Sequence, residues 1–125
     1  KNIENSVLKT ITAFINSEGG ILIIGIDNNK EITGIQEDKF ESIDRYNIHF
    51  NNIFKERIGK EFIPYIHSKD LILNEKTIFI IECAKSKRPV FLKVDGIEHF
   101  YVRAGAQTTE IAGSRMIEYI KNNFS

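Results

Sequence analysis

The sequence predicts an α+β fold, a mixed, mostly antiparallel sheet packed with about three helices, in a single domain over residues 1–125. Three observations carry that prediction. Apolar residues recur at helical spacing in three separate segments. Between them, short runs rich in Ile, Val and Phe are punctuated by Asn, Asp and Gly, the pattern of strands joined by tight turns. The order of elements (helix, hairpin, helix, then strands and a last helix) lacks the strict strand–helix alternation of a parallel sheet.

Ile3, Val7, Leu8, Ile11, Phe14 and Ile15 recur as on one face of a helix, from about Asn2 to Asn16. Ser17-Glu18-Gly19-Gly20 ends it, with Gly19 or Gly20 suited to the left-handed position after a helix. Ile21-Leu22-Ile23-Ile24 has no polar alternation and predicts a central strand buried on both faces. Asp27-Asn28-Asn29-Lys30 has hairpin chemistry, so Glu31-Ile32-Thr33 is expected to pair back against that strand. Phe40, Ile43, Tyr46, Phe50, Ile53 and Phe54 mark a long second helix from about Asp38 to Gly59, and Pro64 closes that region. Ile66 to Leu73 and Thr77 to Ala84 read as strands joined at Asn74-Glu75-Lys76, the second carrying the fully apolar Ile78-Phe79-Ile80-Ile81. Val90 to Val94 and Phe100 to Arg103 are further strands, joined through Asp95-Gly96. Thr109 to Asn123 reads as a closing helix, with Ile111, Met116, Ile117 and Ile120 inward.

Composition narrows the function classes. Apolar residues make up 42% and charged residues 27%, which is globular. Seventeen basic residues balance seventeen acidic ones, so indiscriminate binding to nucleic acid is disfavoured and any contact with it must come from a local basic patch. Cys83 is the one cysteine, which excludes an intrachain disulfide and fits a reducing cytoplasm. No apolar run approaches the roughly 20 residues of a membrane helix, and no membrane partner is expected. The chain opens at Lys1 inside helix-like sequence, without an initiator methionine, and is expected to be a piece of a longer protein.

Several stretches together resemble the Schlafen AlbA-like domain (AlbA_2, formerly a divergent AAA or ATP-binding domain). They are Ala13-Phe14-Ile15-Asn16-Ser17-Glu18-Gly19-Gly20-Ile21-Leu22-Ile23-Ile24-Gly25-Ile26-Asp27 and Ile32-Thr33-Gly34-Ile35. Further on come Lys87-Arg88-Pro89-Val90-Phe91-Leu92 and Phe100-Tyr101-Val102-Arg103-Ala104-Gly105-Ala106-Gln107-Thr108-Thr109-Glu110. The resemblance implies an α+β, nucleic-acid-binding domain of bacterial transcriptional regulators, and for some relatives an RNase. Those nucleases carry two glutamates on a strand before the first helix and an aspartate after the central strand. Here the upstream strand is absent, and Asp27 is followed by Asn28 where active relatives have a second aspartate. A metal-dependent cleavage site needs several convergent carboxylates. Asp27 alone is therefore a weak catalytic candidate, and no catalytic residue, metal site or cofactor is expected.

Each remaining candidate has an architectural alternative. Gly19, Gly20 and Gly25 bring backbone close either to a phosphate or to neighbouring chain. A P-loop runs strand, GxxxxGK[ST], helix; this chain runs helix, glycines, strand, with no Lys-Ser/Thr pair, so no ATP site is read. Asp27 more often caps its own turn. The best binding candidates are Lys85, Lys87, Arg88, Lys93 and Arg103, four of them in or near a loop before Pro89 or on the strand after it. Arg103, followed by Gly105 and Gln107-Thr108-Thr109, suggests an anion site before a helix N-terminus. The alternative pairs Arg103 with Asp27, Glu82 or Glu98 and uses Thr108 or Thr109 as helix cap. His49, His67 and His99 stand far from Cys83 in sequence, so no zinc set is read. Phe100 and Tyr101 are either core or an exposed pair that stacks on a base.

The expected function is a non-catalytic DNA- or RNA-binding module of a bacterial transcriptional regulator, in the cytoplasm, with phosphates on Lys85, Lys87, Arg88, Lys93 and Arg103. Two other classes stand beside it: a nuclease whose remaining carboxylates lie upstream of Lys1, and an oligomerisation or sensory scaffold that pairs subunits into a homo-oligomer.

Overall fold

The computed structural model describes residues 5–25 and 43–124. Within them the order is α1 (Asn5–Asn16), β1 (Gly20–Ile24), α2 (Ile43–Arg57), a 3₁₀ turn (Lys60–Tyr65), β2 (Ile66–Leu73), β3 (Lys76–Cys83), β4 (Leu92–Val94), β5 (Ile97–Ala104), β6 (Gln107–Ile111) and α3 (Gly113–Asn123). The fold class is α+β, as the sequence predicts. Every described strand pairing is antiparallel, and the strands divide between two three-stranded sheets, β1-β3-β2 and β4-β5-β6. The Asp27–Lys30 turn and its returning strand lie outside the described residues, as does the start of the second helix before residue 43.

The turns follow their residues. Asn74 and Glu75 both have positive φ and join β2 to β3, and Asp95 with Gly96 does the same between β4 and β5. Two consecutive left-handed residues make the hairpin turn whose twist matches that of the strands.

The core forms where α1 and α2 meet the sheets. Leu8, Ile11 and Ile15 of α1, Tyr46, Phe50 and Phe54 of α2, and Phe79 and Ile81 of β3 are all sealed from solvent. Phe79 receives two rings edge-on: Tyr46 at 5.1 Å and 76°, and Phe50 at 5.5 Å and 68°. Such pairs add about 0.5–1.5 kcal/mol each beyond the area they bury.

Two sequence expectations need correction. The strand buried on both faces is β3, not β1. β3 lies in the middle of its sheet, with Phe79, Ile81 and Cys83 buried on one face and Ile78 on the other. β1 has one neighbour among the described residues, and Ile21 and Ile23 are 61% and 44% exposed. A continuous apolar run cannot say how many neighbours its strand will have. The closing helix, too, begins later than expected. Thr109 and Ile111 lie in β6, because residues 107–111 pair with β5 from Ala104↔Gln107 to Phe100↔Ile111. Ile117 is 64% exposed and no residue of α3 is buried, so its inward face is shallow. Among the described residues no helix is long and apolar enough to cross a membrane.

Candidate nucleic-acid interface

The end of α1 is a junction of three chain segments. The Ser17 and Gly19 amides both donate to the carbonyl of Phe14, at 3.1 and 2.8 Å, and Gly19 takes φ +80°. A Cβ on Gly19 would stand 2.6 Å from the carbonyl oxygen of Cys83, and one on Gly20 would stand 2.7 Å from the Phe14 ring. Both glycines are thus explained by the approach of neighbouring chain, not by a ligand. Asn16 is wholly buried and holds two strangers together. Its Nδ2 donates to the carbonyls of Val90 (2.8 Å) and Tyr101 (2.9 Å), and its Oδ1 accepts from the amide of Val90 (2.9 Å). Ser17 Oγ accepts the amide of Arg103 at 2.9 Å, and the Tyr119 hydroxyl donates to the carbonyl of Asn16 at 2.8 Å.

Arg103 is placed by this junction. Its guanidinium lies 4.9 Å over the Phe14 ring, and Nη1 donates to Thr108 Oγ1 at 2.8 Å. Phe14, Ser17, Glu18, Gly19, Arg103 and Gly105 line a cleft of about 440 Å³. Arg103 makes no ion pair among the described residues, although Glu18 lines the same cleft. The expected helix N-terminus is not beside it, and among the described residues neither Glu82 nor Glu98 pairs with it. Thr108 and Thr109 belong to β6 and cap no helix; α3 starts at Gly113 with Ala112 before it and no side-chain cap. Glu82 pairs instead with Lys69 at 3.4 Å, Glu98 sits opposite Lys93, and Asp27 lies outside the described residues. Arg103 meets its threonine across a hairpin because β5 and β6 place residues 103 and 108 directly opposite.

The other basic candidates divide into two places. Ser86 donates its amide to the carbonyl of Ile15 at 2.9 Å, which fixes the 84–88 loop against the same end of α1. Lys85 stands 4.7 Å over the Phe124 ring and Arg88 5.0 Å over Phe62, while Lys87 is exposed. The loop that carries these three is therefore tied to the helix end that Arg103 faces, while Lys85 runs toward the end of α3 and Arg88 toward the 3₁₀ turn. Lys93 does not join them. Its carbonyl accepts Arg57 Nε at 2.9 Å, and Arg57 Nη2 donates to Asn5 Oδ1 at 2.6 Å. Asn5 is the first residue of α1, so Lys93 lies at the far end of a helix about 17 Å long.

Phe100 and Tyr101 are buried, 1% and 5% exposed, which removes the base-stacking alternative for that pair. Burial and the nearby Glu110 carboxylate raise the Tyr101 phenol above its ordinary pKa. Glu110 Oε2 lies 2.6 Å from His99 Nδ1. Cys83 is buried and its thiol is pushed up to about 12 by that burial, so it is a packing residue. Among the described residues no group of three or more His, Cys, Asp or Glu side chains is arranged to hold a metal ion. Asn16, Ser17, Phe14 and Tyr119 build the site without standing out in the sequence. A polar Asn-Ser pair is equally usual at a helix end that faces water, so local sequence offered no signal of the junction.

Residues 1–112 match the family described as Schlafen, AlbA_2. The chain belongs to the Schlafen AlbA_2 family. A relative named as an uncharacterised ATP-binding protein, from Ureaplasma parvum serovar 3, is 32% identical over 77 residues, 59% of this chain and 22% of that one. The crystal structure of the DIP2311 protein from Corynebacterium diphtheriae superimposes on all of this chain and on 24% of its own, with a TM-score of 0.64 at 17% identity. That likeness shows a shared fold. This AlbA_2 chain thus spans under a quarter of the length of either protein.

Proposed function

We propose that this AlbA_2 domain binds nucleic acid through backbone phosphates at the C-terminal end of α1, as a non-catalytic module of a bacterial transcriptional regulator working in the cytoplasm. The observation that carries the reading is Arg103: a guanidinium backed by Phe14, steadied by Thr108, facing a cleft, and without an ion-pair partner among the described residues. An Arg so held presents its remaining N–H groups in a fixed fork that matches phosphate oxygens. The loop tied to the same helix end through Ser86 carries three further charges, Lys85, Lys87 and Arg88. Family membership supports the reading, and the relative named as ATP-binding shares its chemistry, since both ligands offer phosphate.

The test is a salt-titrated anisotropy assay on labelled single- and double-stranded DNA and RNA, with ATP as competitor. Three to four phosphate contacts give a log–log salt slope of about −3, and Lys87→Ala/Arg88→Ala/Arg103→Ala should flatten it by about two to three. Lys93→Ala should leave affinity within about twofold, because it sits at the other end of α1. No binding at about 50 mM salt, or an unaltered triple variant, refutes the proposal. Competition by ATP at concentrations well below the charge-matched pyrophosphate control would reassign the cleft to a mononucleotide.

A further inference from the structure

The hairpin that carries Arg103 has a second face. Side chains alternate along a strand, so Arg103 faces α1 while Val102 and Ala104 face α3. There Val102, Ile111 and Tyr119 floor a groove of about 340 Å³, and Arg115, Glu118 and Asn122 stand along its rim on α3. That volume falls within the range of small-ligand pockets. The Tyr119 ring is fixed from three sides: its hydroxyl by the Asn16 carbonyl, its edges by Phe100 at 5.9 Å and Phe124 at 6.3 Å. Among the described residues, Arg115, Glu118 and Asn122 make no ion pair or side-chain hydrogen bond. Lys85 reaches the end of the groove, donating to the carbonyl of Asn123 at 3.4 Å.

We infer that this groove seats one unstacked base of a single-stranded nucleic acid whose backbone lies on the α1 end. A base offers two apolar faces and an edge of mixed donors and acceptors. The floor supplies aliphatic and aromatic surface for a face. The rim supplies an amide with both donor and acceptor, a carboxylate that accepts from an amino group, and a guanidinium that donates to an exocyclic carbonyl oxygen or a ring nitrogen. In a duplex the faces are covered by stacking, so only a single strand, loop or end can use such a seat. The two sites also adjoin. Ser17 holds the Arg103 amide on one side and lies 3.3 Å from the Tyr119 hydroxyl on the other, so the cleft and the groove share one wall. The strand source rests on the phosphate-binding reading above; the base seat does not.

Two measurements separate them. Titration of the isotope-labelled domain with the four nucleoside 5′-monophosphates should shift the Val102 and Ile111 methyl and Tyr119 ring signals, and Arg115→Ala/Asn122→Ala should abolish the shifts. Those rim residues are exposed and α3 buries no side chain, so the variant retains the fold. In the anisotropy assay the same variant should lose about tenfold on single strands and less than about twofold on duplex. An oligonucleotide with abasic positions should bind the wild type as weakly as the normal one binds the variant. Monophosphates that shift none of these signals overturn the base seat. Equal losses on single strand and duplex overturn the preference for an unstacked base. Monophosphate shifts without any oligonucleotide binding sink the phosphate-binding reading and the strand with it, and leave a groove for free nucleotides.

Discussion

Asn16→Ala is the substitution whose cost follows most directly from the structure. Asn16 is fully buried and makes three hydrogen bonds of 2.8 to 2.9 Å to the backbone of Val90 and Tyr101. Val90 is itself buried, lies outside any strand, and has no other backbone partner among the described residues. Alanine would orphan its N–H and C=O in a site sealed from solvent. A buried backbone group left unpaired costs about 1–3 kcal/mol, so two or three of them amount to about 2–9 kcal/mol. That is a large share of the roughly 5–15 kcal/mol that holds a small domain folded. The assay is urea unfolding followed by circular dichroism, where the midpoint should fall by about 2 M with an unchanged slope. Asn16→Asp is the discriminating companion. It keeps the acceptor for the Val90 amide but turns the donors into a carboxylate facing two carbonyl oxygens. Burial and those oxygens favour the neutral acid in the fold, so the folded-state pKa would be raised. Stability of the Asp variant should therefore be greatest at low pH and decline as pH rises through the unfolded carboxyl range toward 7. A loss below about 1 kcal/mol in Asn16→Ala would refute the account of this junction.

Gly20→Ala should destabilise by about 1–3 kcal/mol, since its methyl would meet the Phe14 ring at 2.7 Å and the ring is pinned between α1 and Arg103. The same variant should weaken oligonucleotide binding if Phe14 sets the Arg103 position, and unchanged affinity in a folded Gly20→Ala would separate the two. Cys83 sets an alkaline limit: its thiol is raised from 9.0 to about 12, so the fold keeps it neutral where the unfolded chain ionises it. That stabilisation is complete below pH 9 and is lost as pH rises toward 12, at up to about 1.4 kcal/mol per pH unit. Tyr101, also raised, adds a loss of the same sign at higher pH. Denaturation midpoints at pH 8 and 10 should converge in Cys83→Ala relative to wild type, and an equal pH slope in both would contradict the burial argument.

Local chemistry carried most of the fold's legibility. The Gly19 cap, the Asn74-Glu75 and Asp95-Gly96 turns, and strands β2 and β3 within a residue or so all follow from residues near in sequence. What local pattern could not supply was partnership. The runs at 21–24 and 78–81 look alike, yet among the described residues the first has one neighbouring strand and the second has two, and only the pairing order distinguishes them. Thr108-Thr109-Glu110 has the look of a helix start, but β5 offers it five cross-strand positions and the ladder prevails. The site was legible to a similar depth. Arg103 and the Lys85–Arg88 loop could be picked out by charge, and their convergence on one helix end could not, because it depends on Asn16, Ser17 and Ser86 bonding across 70 residues or more. Lys93, no different in sequence from its neighbours, ends up elsewhere for the same reason.

The stretch around Asn16 and the stretch around Arg103 are therefore a single structural unit. Asn16 grips Tyr101, Ser17 grips Arg103, and Phe14 underlies the guanidinium that Arg103 presents. The glycines that follow are small because this unit presses against β3 and the Phe14 ring. Such a coupling argues for Arg over Lys at position 103. The planar guanidinium can lie on the ring, donate to Thr108 and still hold N–H groups free for an anion, whereas an ammonium on a flexible stem cannot do all three at once. Arg103→Lys would keep the charge and the salt dependence while losing the fixed direction. Its affinity for oligonucleotides should then lie closer to that of Arg103→Ala than to wild type, which anisotropy at one salt concentration can decide. Wild-type affinity in the Lys variant would mean that charge alone acts at this position, and that the Phe14 platform serves the fold and not the ligand.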